Sequence, residues 1–195
     1  MINQTFIDWC NEVSQEDINE IFLQACSVGI FDKVKALLTS PKLNKHADIH
    51  YKNDRGLHFA CENEHKDMVH YLLTSPELKE HADIQSDNNY VLLFYFNCEN
   101  LEMLRYILSS PELKKHADIT NHYENIFMDA CEDNNLNILN FLIVEMKMNQ
   151  NDVINKYLEK RPNIHAKHMF YMRELHQDLE KELYSDKIHE KKIKL

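Results

Sequence analysis

The sequence predicts an all-α solenoid of stacked helix pairs, opened by an N-terminal capping helix and followed by a C-terminal helical extension. Three observations predict it. Ser40-Pro41-Lys42-Leu43-Asn44-Lys45-His46-Ala47-Asp48-Ile49 returns 35 residues later from Ser75 and 35 residues later again from Ser110, with Ser, Pro, Leu and the run His-Ala-Asp-Ile held each time. A fixed period of roughly 20–50 residues is the mark of a stacked-repeat chain. Apolar blocks recur in the same frame, each too short for a stable isolated helix, so stacking has to supply the core. Three of the five cysteines, Cys26, Cys61 and Cys131, also share one position of the frame, which suits a small buried slot.

Composition narrows the class. The chain of 195 residues has the make-up of a globular protein and no apolar run of about 18 residues that would span a bilayer. Its first ten residues are acidic and polar where an export signal carries a basic start and an apolar core. Five cysteines cannot form a complete disulfide framework, and a cytoplasmic, reducing environment is expected. Residues 1–144 hold 11 Lys and Arg against 23 Asp and Glu, whereas residues 145–195 hold 11 against 9. The repeat body therefore repels phosphates, and neither nucleic acid nor membrane is an expected partner.

Taken in order, residues 1–21 are read as an N-terminal helical cap over the first repeat, which would otherwise leave an apolar face in water. Phe6, Ile7, Trp9, Cys10 and Val13 form the apolar face of a short helix. Ser14 then opens a second helix, with Glu16, Asp17 and Glu20 at its positive end. Ile18, Ile21, Phe22, Ala25 and Cys26 follow with helical periodicity. Residues 22–144 hold four units. Their first helices begin around Phe22, Leu57, Leu92 and Phe127, and their second helices around Val34, Val69, Leu104 and Leu139. The third unit is unusual, with Tyr95 in the slot of Ala25, Ala60 and Ala130 and Phe96 in the slot of the cysteines. Two rings in small slots predict either a repacked core or a bend that opens a pocket. Residues 145–195 are read as a C-terminal helical extension. It has a short helix over 151–160 ended by Arg161-Pro162, a long amphipathic helix over 163–184, and a basic tail from Lys187.

Quoted together, the units resemble the ankyrin repeat over about residues 22–144. Leu57-His58-Phe59-Ala60-Cys61 matches the family's Leu-His-x-Ala-Ala run, His65 its Gly-His position, Met68-Val69-x-Tyr71-Leu72-Leu73 its Ile-Val-x-x-Leu-Leu, and Ala82-Asp83-Ile84 its Ala-Asp-Val. The family's repeat is usually about 33 residues. Here the Ser-Pro segment is inserted after the second helix, and the segment before Leu-His is shortened. The insertion predicts an extra helical turn with Leu43, Leu78 and Leu113 packed inward, and the deletion predicts shortened hairpin loops. Gly29 keeps the family's glycine after the first helix, whereas Glu64, Glu99 and Asn134 replace it. Left-handed backbone at those glutamates costs about 1–2 kcal/mol each.

Chemistry is sparsely supported. Packed neighbours in a stack lie roughly 8–10 Å apart, too far for His46, His81 and His116 to converge on zinc at about 2 Å. They read as a ladder of hydrogen bonds to turn backbone. His165 and His168 lie three apart with Glu174 and His176 nearby, but no third and fourth ligand falls at motif spacing, and no metal or cofactor is expected. Cys10 and Cys98 lie outside the cysteine ladder without a protease signature. Two glycines, Gly29 and Gly56, exclude a glycine-rich phosphate loop. His58 is read as a local hydrogen-bonding residue, and no catalytic residue is expected.

The resemblance instead implies partner binding by the hairpin tips and the exposed ends of the first helices. Mapped by the period, the tips supply Asp54, Arg55, Asp87, Asn89, Tyr90, Tyr123 and Glu124, and the helices supply Glu62, Asn63, Asn97, Glu132 and Asp133. Tyr90 and Tyr123 are the expected anchors, since aromatics dominate binding hot spots. The acidic residues favour a basic protein partner. The expected function is a non-catalytic adaptor or inhibitor acting as a monomer; the alternative is a structural module that dimerises through residues 163–184. The resemblance also implies a host-directed effector of an intracellular bacterium or large virus, delivered into a host cytosol. Eighteen Lys against four Arg, with 20 Asn, fit an AT-rich genome.

Overall fold

The computed structural model describes residues 3–133 and 135–146. The expected helices over 151–160 and 163–184, the basic tail, and the turn residue Asn134 lie outside the described residues. Every regular element among the described residues is helical. They fall into two compact units, one ending at Thr120 and one beginning at Asn121.

In the first unit, α1 (Gln4–Glu12) starts where the Asn3 side chain accepts a hydrogen bond from the Phe6 amide. Ile7 and Cys10 are its buried face, but Trp9, expected there, is 43% exposed. Ser14 opens α2 (Gln15–Val28) with a complete capping box against Asp17, so two otherwise orphaned amides are satisfied reciprocally. This helix runs without a break across residues 21 and 22. Each later unit repeats the plan 35 residues on. The second helices are α3 (Phe31–Thr39), α5 (Lys66–Thr74) and α7 (Leu101–Ser109), and the first helices are α4 (Tyr51–Glu62) and α6 (Ser86–Asn97). First helices α2, α4 and α6 pack in sequence as an inner layer, and each packs on its own second helix.

The recurring Ser-Pro segment has one structure in all three copies. The expected extra helical turn is a single hydrogen-bonded turn, closed by Leu43, Leu78 and Leu113 amides donating to the Ser40, Ser75 and Ser110 carbonyls at 3.1, 3.1 and 3.2 Å. Proline cannot donate, which suits the turn's first inner position. The three leucines are buried. His46, His81 and His116 donate Nε2–H to those same serine carbonyls at 3.0, 3.0 and 2.8 Å, so the histidine ladder does bond turn backbone. Ala47, Ala82 and Ala117 amides then tie the segment to the second helices through the Leu37, Leu72 and Ile107 carbonyls.

Each aspartate of His-Ala-Asp-Ile accepts from the amide two residues on. Its own amide reaches the preceding first helix. Asp48, Asp83 and Asp118 amides donate to Asn19, Asp54 and Asn89 Oδ1 at 2.9, 2.9 and 3.0 Å. These three acceptors sit 35 residues apart and are buried. They form a polar ladder through the stack.

The shortened hairpins are left-handed turns. Lys52, Asn53 and Asp54 have φ of 52°, 56° and 58°, and Asp87, Asn88 and Asn89 have φ of 48°, 57° and 59°. Asn and Asp are the non-glycine residues that best tolerate this region. The same conformation recurs after the first helices, at Gly29 (φ 79°), Glu64 (58°) and Glu99 (55°). There the next amide, of Ile30, His65 or Asn100, bonds back to the Ala25, Ala60 or Tyr95 carbonyl, which is the Schellman closure glycine normally serves. Glu64→Gly and Glu99→Gly should each stabilise the fold by about 0.5–1 kcal/mol, the relief of left-handed strain less glycine's larger unfolded entropy. Urea unfolding of the double variant will read the sum, and a loss of stability would mean the glutamates are not strained.

Gly56 marks the closest approach of α2 and α4, where an added Cβ would lie 2.6 Å from the Phe22 ring. Tyr95 and Phe96 are both buried, so the third unit holds its rings by repacking. The Tyr95 hydroxyl meets the Cys61 thiol, and burial raises the pKa of both groups, that of Cys61 to about 12. Cys10, Cys26, Cys61 and Cys131 are buried, and Cys98 is exposed.

The second unit holds α8 (Tyr123–Glu132), α9 (Leu136–Asn140) and a π-helical turn over Phe141–Glu145. Ile126, Phe127, Ala130, Cys131, Ile138 and Leu139 supply its apolar interior. The fourth second helix therefore continues as a π-turn, closed by the Met146 amide on the Phe141 carbonyl at 3.0 Å.

Candidate partner-binding surface

The left-handed turns open α4 and α6, and tyrosines beside them lace each of these helices to the preceding first helix. Tyr51 donates its hydroxyl to Glu20 Oε1 at 2.9 Å, joined there by the Lys52 ammonium. One unit on, Tyr90 donates to Glu62 Oε1 at 2.6 Å. That neighbouring carboxylate holds the Tyr90 phenol above its ordinary range, with burial adding to the effect.

Around Tyr90 the structure gathers a compact cluster. The Arg55 guanidinium carbon lies 4.5 Å from the Phe59 ring centre and 5.8 Å from that of Tyr90, and Nη1 lies 3.4 Å from Glu62 Oε1. Phe94 stacks on Tyr90 at 6.5 Å. Beneath them the His58 ring lies 4.6 Å from Tyr90, with Nε2 3.1 Å from the Ser86 hydroxyl. Burial, and next the Arg55 charge, depress the basicity of His58, so the buried ring is neutral near pH 7. Arg55, Phe59, Glu62, Tyr90 and Phe94 all keep partial exposure. A cation over two aromatic faces and beside a carboxylate is a defined recognition element.

Of the residues expected to meet a partner, the structure brings Arg55, Glu62 and Tyr90 together, and leaves Asn63, Asp87 and Asn97 exposed in the same unit. Three assignments are corrected. Asp54 and Asn89 point inward, 4% and 9% exposed, and are spent on the Asp83 and Asp118 amides. Tyr123, 2% exposed, is an interior ring of the second unit beside Phe127 and is no anchor for a partner. Glu124, Glu132 and Asp133 are exposed in that second unit. Phe59 and Phe94 were not legible as site residues by the family mapping. Their signal was the period itself, since their slot holds polar Gln24 and Asp129 in the flanking units.

Among the described residues no group of three His, Cys, Asp or Glu side chains is placed to hold a metal, and no helix is long and apolar enough to cross a membrane. A family model for ankyrin repeats, three copies, matches residues 57–153. The chain belongs to the ankyrin repeat family. Its first repeat precedes the matched residues yet carries the same helix pair, α2 and α3. No curated protein and no solved structure matches the chain. Ankyrin repeats generally mediate protein–protein interactions.

Proposed function

We propose that this ankyrin-repeat chain is a non-catalytic adaptor or inhibitor that binds a partner protein through the inner-helix face of its first unit. The observation that carries the reading is the half-exposed aromatic and charged cluster of Arg55, Phe59, Glu62, Tyr90 and Phe94 on α4 and α6. Tyrosine and arginine are the residues on which binding energy concentrates. Asn63, Asp87 and Asn97 form its polar rim, exposed and therefore accessible. The acidic balance of the repeat body favours a basic partner, in approach rate as well as orientation. A cytosolic setting, in a host cell or in the producing cell, suits the buried thiols of Cys10, Cys26 and Cys61.

The test is affinity capture from lysate with the wild type and a Tyr90→Ala/Asp87→Lys variant, read by mass spectrometry. A protein retained by the wild type and lost by a variant with unchanged helical circular dichroism supports this face as the working surface. Identical captures would overturn it.

A further inference from the structure

The Arg55 guanidinium is held by imperfect contacts in a setting that suits a better-placed guanidinium. Its Nη1 stands 3.4 Å from Glu62 Oε1, beyond the roughly 2.9 Å of a good N–H···O bond, and that same oxygen already accepts the Tyr90 hydroxyl at 2.6 Å. Arg55 and Glu62 lie on one helix, α4, so their approach is fixed by the backbone rather than chosen. The two-pronged carboxylate pairing that makes arginine distinctive needs a planar, head-on approach. The Phe59 and Tyr90 rings nonetheless flank the cation at 4.5 and 5.8 Å, so the space accepts a guanidinium. The Arg55 side chain is 35% exposed and that of Glu62 24%, so the resident can leave for water without opening the core.

We propose that Phe59, Glu62 and Tyr90 form a receptor for an arginine side chain of a partner protein, held closed in the free chain by its own Arg55. This inference rests on the inner-helix face being the binding surface and adds the partner's chemistry and an internal competitor. The incoming guanidinium exchanges with Arg55, which returns to solvent, so the exchange costs little net desolvation. The formal charge of −10 favours a cationic group over an anionic one at this face.

The test is a titration with acetyl-arginine amide, with acetyl-citrulline amide as the uncharged isostere. Binding is read from the ring resonances of Tyr90 and Phe94. Arg55→Ala should bind the arginine probe about tenfold more tightly than the wild type, the size of one partly desolvated cation–π and ion-pair site. Adding Glu62→Gln to that variant should abolish the gain, and citrulline should not bind. Arg55→Gln serves the same purpose if the alanine variant unfolds. Equal or weaker binding by both Arg55 variants, or no preference for arginine over citrulline, would overturn the proposal. The fate of the broader reading is separate. A captured partner that needs Tyr90 and Asp87 but loses affinity when Arg55 is removed would make Arg55 itself a contact to an acidic group, sinking the receptor while leaving the face in place.

Discussion

Tyr95→Ala should lower the unfolding free energy by about 3–4 kcal/mol, although it restores the residue that three sister units carry in that slot. Ala25, Ala60 and Ala130 fill the equivalent position with a methyl group, and repeat averaging would count the change as an improvement. The structure argues the reverse. Tyr95 is 2% exposed, its ring meets Phe94 edge-on at 5.5 Å, and its hydroxyl meets the Cys61 thiol. The surrounding side chains have been chosen around a ring, including Phe96 in the adjacent cysteine slot. Removing one ring leaves a void that close-packed neighbours relax into only partly. Urea unfolding followed by circular dichroism will decide it. Tyr95→Phe, which keeps the ring and loses the hydroxyl, should cost about 1 kcal/mol. A cost below about 1 kcal/mol for the alanine variant would show that α6 has slack enough to close on the smaller residue.

The period made most of this fold legible, because a repeat superimposes independent copies of the same physical problem. Pro41, Leu43, His46 and Asp48 each recur at 35 residues, and each proves to have one fixed partner: a turn, a buried pocket, a serine carbonyl, an amide two residues on. The Ser14 cap was readable because capping is chemistry of four consecutive residues. Handedness of the hairpin was not. Lys52-Asn53-Asp54 and Asp87-Asn88-Asn89 are polar, and polarity argues for an exposed tip, whereas a left-handed turn buries its last side chain. Tyr123 misled for the opposite reason, since aromatic character suits a binding anchor and an interior ring equally. The cluster around Tyr90 was half visible. Its polar members lay at family positions, while Phe59 and Phe94 needed the comparison between units.

The buried ladder of Asn19, Asp54 and Asn89 sets the second large expectation: Asp54→Ala should cost about 3 kcal/mol, and Asp54→Asn less than about 1 kcal/mol. Asp54 Oδ1 accepts from the Asp83 amide at 2.9 Å and faces His50 Nδ1 at 2.8 Å. Alanine leaves that amide buried without its acceptor, a loss of about 1–3 kcal/mol. It also places an ordinary residue at φ 58°, where the aspartate or asparagine side chain eases a penalty of about 1–2 kcal/mol. Asparagine keeps both the acceptor oxygen and the tolerance of left-handed backbone, and Asn19 and Asn89 already serve the flanking rungs in that form. Chemical denaturation of the two variants side by side separates these contributions. Equal losses would mean that the charge of Asp54, rather than its oxygen, holds the rung. The expected inequality would tie the left-handed turns of α4 and α6 to this rung: the last residue of each turn delivers a side-chain oxygen to the following aspartate amide, as Asn19 does from within α2.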